Sequence, residues 1–116
     1  MKFAVSSYSL SSLVSKGEKT EKELISLARE LGFDGIEFAE IHTPEGKDKS
    51  EYAKELKAEC DRVGIEPVQY SVGADFIYGS DSDLEKEIER LKKEVDIAVL
   101  LGVKGMRHDA TGGYRD

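Results

Sequence analysis

Three consecutive residues near the end of the chain, Arg107, His108 and Asp109, place a guanidinium, an imidazole and a carboxylate in one short segment. Such a set can hold an anionic or polyhydroxy ligand and can take or give a proton. The surrounding Gly105-Met106-Arg107-His108-Asp109-Ala110 reads as a strand, and side chains alternate along a strand. Arg107 and Asp109 therefore share one face, and His108 takes the other. The competing reading is an internal ion pair with a hydrogen-bonded histidine under a helix. Glu37 lies in an earlier strand candidate and could meet Arg107, since alternate strands of a barrel fill one interior layer. As a buried pair the two are as fit for scaffold as for function. Tyr8 follows the first strand and either closes over a ligand or packs as an ordinary tyrosine. Asp75 and Phe76 follow the third strand; they either cap a pocket or form an Asx turn with a buried ring. His42 stands in a Thr-Pro-Glu-Gly loop, where a solvated histidine is expected, and has no partner at metal-ligand spacing.

These residues need elements to position them. Gly32, Gly64 and Gly102 each follow a helix-like run and open an apolar–polar alternation, at near-regular spacing. A repeat of one helix and one strand per unit predicts stacked βα units and a parallel sheet. Thr20 with Glu23 has the spacing of a capping box, and Leu24, Leu27, Ala28 and Leu31 form the apolar stripe of the helix it starts. Asp48 or Ser50 caps the next helix, with Tyr52, Leu56, Cys60 (or Glu59) and Val63 on its stripe. Ser82 with Glu85 is a second capping box, ahead of a stripe of Leu84, Ile88, Leu91 and Val95. The serine-rich stretch through Ser15 is expected to be loop, as are Gly73–Gly79 and the last residues from Thr111 to Asp116. The expectation is one domain over residues 1–116, with strands near 3–8, 36–41, 67–72 and 105–110 and helices near 20–31, 50–63 and 82–101.

Bulk properties narrow the function classes. The chain has 116 residues, 39% hydrophobic and 35% charged, which suits a folded domain with charged helices. A net charge of −7 argues against nucleic acid and anionic membranes as partners. No apolar run approaches the roughly 20 residues that cross a bilayer, and the opening Met1-Lys2-Phe3-Ala4-Val5 is too brief for a signal peptide. Cys60 is the only cysteine and Asn is absent, so a disulfide framework and N-glycosylation are excluded. Cys60 falls on a helix stripe, where core packing is expected. A reducing cytoplasm is the expected compartment.

The βαβαβαβ order fits two α/β architectures. A doubly wound sheet is one, but no dinucleotide fingerprint or phosphate loop is present. The other is the first half of a (β/α)₈ TIM barrel, whose complete form needs about 250 residues. Polar Glu37, Gln69 and Arg107 inside strand candidates favour the half-barrel, because a doubly wound sheet would want Val or Ile there.

Val5-Ser6-Ser7-Tyr8-Ser9, Leu31-Gly32-Phe33-Asp34-Gly35-Ile36-Glu37-Phe38, Val72-Gly73-Ala74-Asp75-Phe76 and Met106-Arg107-His108-Asp109-Ala110-Thr111 occur in that order. Together they resemble the sugar phosphate isomerase/epimerase group, which has the xylose isomerase-like barrel. The resemblance covers the whole chain but only the N-terminal half of that barrel. It implies proton transfer next to a sugar carbonyl through an enediol, assisted by a divalent metal cation. It also implies that the metal ligands come from the fifth to eighth strands, so that this chain alone holds no metal. The substrate-binding candidates are then Tyr8, Glu37, Asp75, Arg107, His108 and Asp109, facing a small-molecule sugar or sugar phosphate. A non-catalytic half-barrel is the alternative, one that self-associates through its open sheet edges or pairs with a separate half. Related abasic-site endonucleases would fit the fold, but the acidic balance counts against them.

Overall fold

A computed structural model describes residues 1–113; the expected loop at 114–116 lies outside them. Strand β1 (Ala4–Ser6) is followed by a 3-10 turn (Ser7–Leu10) and helix α1 (Ser11–Ser15). Then come α2 (Glu21–Glu30), β2 (Gly35–Ala39), α3 (Lys49–Val63) and β3 (Glu66–Val72). A single turn α4 (Gly79–Ser82), the long α5 (Leu84–Leu101) and β4 (Gly105–His108) complete the order.

All four strands are parallel, in the order β1-β2-β3-β4. This sequential order decides between the two architectures. A doubly wound sheet reverses direction part-way, whereas a barrel adds each strand beside the last. The observed sheet corresponds to four of a barrel's eight strands.

Local chemistry explains the elements. Thr20 and Glu23 make both bonds of the capping box, and Asp48 caps α3 by accepting the Glu51 N–H. Gly64 and Gly102 end α3 and α5 with φ of 77° and 72°, the left-handed conformation that costs glycine least. Ile36 and Phe38 of β2 and Tyr70 of β3 are all 0% exposed. They pack with Ile25 and Ala28 of α2, Ala53, Leu56 and Cys60 of α3, and Ala98 and Leu101 of α5 in one core. The opposite face of the sheet carries Glu37, Ala39, Gln69, Ser71 and Arg107.

Four expectations need correction. The serine-rich stretch is not loop. Ser6 Oγ accepts the Tyr8 N–H, Ser11 and Ser15 hydroxyls bond back to the carbonyls of Tyr8 and Ser12, and the chain winds into helical turns. The long helix starts one residue later than the Ser82–Glu85 pair suggests, because Asp83 accepts the Lys86 N–H while Ser80, Asp81 and Ser82 all have positive φ. On α2 the buried stripe is Glu21, Leu24, Ile25 and Ala28, and Leu31 is exposed. On α5 only Leu91 of the expected stripe faces the protein. Leu84, Ile88, Val95 and Val99 are 39–73% exposed, while Glu87, Leu91, Glu94, Ala98 and Leu101 face the protein. The helix has two apolar stripes, and its buried polar groups sit on the one that packs. Glu94 accepts the Tyr70 hydroxyl at 2.6 Å and the Lys49 ammonium at 2.5 Å, which satisfies a carboxylate next to the core.

Candidate functional site

A cavity of about 580 Å³ opens at the C-terminal ends of the strands. That volume falls in the range of small-molecule sites, and this is the end of the sheet at which barrel enzymes place theirs. Ser7 and Tyr8 reach it from the turn after β1, Ala39 and Glu40 from the end of β2, and Ser71 and Gly73 from β3. Arg107 and Asp109 line it from β4, and Glu21 and His42 close the side nearest α2.

Register sets which strand residues reach this level. Ala39, Ser71 and Arg107 are paired neighbours, and one level deeper Ser6, Glu37, Gln69 and Gly105 are paired. Between Ile36–Pro67 and Glu37–Gln69 the ladder skips Val68. Pro67 has no N–H to donate there, and the skipped Val68 stands over Gly35, where an added Cβ would meet its Cγ1 at 2.9 Å.

Of the six expected site residues, three line the cavity. Arg107 donates to Asp109 at 2.9 Å, so the two do share a face, and Tyr8 stands 76% exposed at the rim. Glu37 is on the same face but deeper, where it accepts the Ser6 hydroxyl at 2.8 Å. It does not pair with Arg107, which is level with Ser71 and Ala39, two residues nearer the mouth than Glu37. His108 takes the helix side, its ring edge-on to Phe76 at 5.8 Å and its Nδ1 2.8 Å from the Asp109 carbonyl oxygen. Asp75 forms the Asx turn: its Oδ1 accepts the N–H groups of Ile77 and Tyr78 and the Thr111 hydroxyl. These bonds hold its carboxyl below the usual range, led by the Tyr78 N–H. Asp75 thus ties the β3–α5 loop to the segment after β4, away from the cavity.

Glu40 has φ of 56° at the very end of β2, a conformation that strains a residue with a side chain. It is held there by its own N–H donating to Ser71 O at 2.7 Å and by its Oε1 accepting the Gly73 N–H at 2.9 Å. Glu21 accepts the Tyr52 hydroxyl at 3.0 Å and the His42 N–H at 3.1 Å, and faces His42 Nδ1 at 3.0 Å. Neither glutamate stood out in the sequence. Glu21 reads there as an ordinary acidic residue in a helix's first turn, and Glu40 as one more charge at a strand end.

Glu21 and Glu40 are thus already taken up by protein donors. Among the described residues no group of three or more His, Cys, Asp or Glu side chains could hold a metal ion. The arrangement can bind a polar ligand against a mixed wall of hydroxyl, guanidinium, carboxylate and imidazole groups.

Comparison with known families gives a match to the xylose isomerase-like TIM barrel over residues 25–115. No curated protein matches the chain. The matched span contains three of the four strands and the cavity-lining Arg107 and Asp109, and with the sequential parallel sheet it places the chain in the xylose isomerase-like TIM barrel family.

Proposed function

We propose that this chain supplies one wall of the pocket of a sugar or sugar phosphate isomerase or epimerase, a reaction that moves a proton next to the sugar carbonyl. The observation that carries the reading is the cavity at the strands' C-terminal ends, lined by Tyr8, Arg107 and Asp109, in a chain of this family. A polyhydroxy ligand offers donors and acceptors in alternation. Arg107 donates, Asp109 accepts and the Tyr8 hydroxyl does both. Arg107 also suits a phosphate through its planar fork of donors.

The divalent cation of such a reaction does not fit the described residues, so we assign its ligands to other strands of the barrel. The net charge of −7 supports a small molecule over nucleic acid as partner. No described helix is long and apolar enough to cross a membrane. Cys60 is a free thiol in the core, pushed up to about 12 by burial, which supports packing over reactivity and a reducing compartment such as the cytoplasm.

The test is a panel of aldoses, ketoses and their phosphates titrated into the full chain, with binding followed by calorimetry. Arg107→Ala is expected to weaken the best ligand about tenfold to a hundredfold, the value of one charge-assisted hydrogen bond. Equal affinity for wild type and variant across the panel counts against the reading.

A second reading, association with another copy, is favoured by one observation. β1 and β4 are both sheet edges, and Leu84, Ile88, Val95 and Val99 form an exposed apolar stripe on α5, the helix that leads into β4. Sedimentation velocity of the full chain then shows a dimer, which Val95→Glu and Val99→Glu together return to monomer. A monomer at all concentrations removes this reading.

A further inference from the structure

Alternation along β2 turns Phe38 toward the helices and Ala39 toward the cavity, so a continued strand would turn Glu40 back toward the helices. Glu40 lines the cavity instead. Its φ of 56° breaks the alternation, in a region of backbone space that favours glycine. Such strain persists only where the surroundings enforce it, and it gathers at ligand sites. Two bonds enforce it here. The Glu40 N–H donates to Ser71 O at 2.7 Å, and Oε1 accepts the Gly73 N–H at 2.9 Å. Gly73 leaves the room for this, since an added Cβ would meet Oε1 at 3.2 Å.

The bond to Gly73 uses one oxygen of the two. Among the described residues Oε2 has no hydrogen-bond partner. By contrast, both oxygens of Glu21 are engaged, and Asp109 is paired with Arg107. Ala39, Ser71 and Arg107 pair across three adjacent strands, so Glu40 and Arg107 reach the cavity from strands that β3 separates. A carboxylate only accepts, and a guanidinium only donates. The first repels a phosphate and the second attracts it, so the two sides of the cavity suit different ends of one ligand.

Resting on the reading of the cavity as a sugar pocket, we propose that Glu40 determines specificity there. Its Oε2 accepts a ligand hydroxyl at the β2 side, and a phosphate, where the ligand has one, lies at the Arg107 side. The ligand class is a sugar that presents free hydroxyls, and no anionic group, to the end of β2.

The full chain is labelled with ¹³C at the glutamate side-chain carboxyls, and the signal missing from Glu40→Gln is that of Glu40. Fructose and fructose 6-phosphate are added in turn, with that signal and the backbone signals of Tyr8 and Arg107 recorded. All three are expected to move with either sugar. Inorganic phosphate alone is expected to move Arg107 and to leave the Glu40 carboxyl unmoved. Glu40→Gln keeps a carbonyl oxygen for the Gly73 N–H but puts a donor in place of Oε2. It is expected to bind both sugars about tenfold to a hundredfold more weakly, the value of one charge-assisted hydrogen bond. Glu40→Gly accepts the same φ without strain, so it is expected to fold and to show the same loss. Fructose that moves Tyr8 and Arg107 but leaves the Glu40 carboxyl still overturns the inference alone, as does wild-type affinity in both variants. A Glu40 signal that inorganic phosphate moves as far as fructose does also overturns it. Sugars that move none of the three overturn the pocket reading and this inference with it.

Discussion

Replacing Phe38 with alanine is expected to remove about 3–5 kcal/mol of stability, the usual cost of truncating a buried aromatic ring. Phe38 is 0% exposed, on the helix side of β2, in the core cluster with Leu56 and Tyr70. It pairs in register with Tyr70, so its removal leaves a void between the central pair of strands and the helices. Domains of this size have only about 5–15 kcal/mol in total, so much of the chain's stability goes with the ring. The loss also reaches the cavity. Ala39 and the strained Glu40 follow Phe38 directly, and the strain at Glu40 persists only while its surroundings hold it. Urea denaturation of wild type and Phe38→Ala, with Phe38→Leu as the milder change, checks this. A loss below about 1 kcal/mol would contradict the packing described.

The second large effect belongs to Glu87. This carboxylate is 2% exposed and serves three partners. It accepts Arg90 Nε at 2.7 Å, the Asp75 N–H at 2.8 Å and the Ser80 hydroxyl at 3.2 Å. Arg90 in turn donates to the Gly73 carbonyl at 2.7 Å, so one ion pair holds the whole β3–α5 loop against the helix. Glu87→Ala leaves the Asp75 amide and Arg90 without their acceptor and is expected to cost about 2–4 kcal/mol. The Arg90 hydrogen bonds first, then the Asp75 N–H, hold the Glu87 carboxyl down to about 2, from 4.5. Because the unfolded chain binds this proton more readily, the stabilisation is complete above about pH 4.5 and is lost as pH falls toward 2. Thermal melts across that window are expected to fall more steeply for wild type than for Glu87→Gln. Parallel curves would mean that the carboxylate does not carry the loop.

Much of the frame is legible in the residues themselves. Thr20–Glu23, Asp48 and the helix-ending glycines act through bonds within a few residues of each other, so their spacing in sequence is their spacing in space. The parallel sheet follows from the same regularity. The buried face of α5 is not legible, because Leu84-Ile88-Val95 has as good a helical period as the face that packs. Only the partners that Glu87 and Glu94 find in other elements, Asp75, Ser80, Tyr70 and Lys49, show which stripe turns inward. The level of Arg107 depends on the skipped Val68, and a one-residue slip beside a proline leaves no periodic trace. The Glu21–His42–Tyr52 cluster joins residues far apart in the chain, so no local spacing reveals it. Alternation alone does separate His108 from Arg107 and Asp109, and the structure has them on those two faces.

A polyhydroxy ligand is expected to seat at the C-terminal ends of the strands, on the face that carries Arg107 and Asp109. The most direct measurement maps the backbone amide shifts of the full chain as fructose 6-phosphate is added. Shifts are expected at Tyr8, at Ser71 to Gly73, and at Arg107 and Asp109. Shifts confined to Phe76 and His108 on the helix side, or none at saturating sugar, would contradict it.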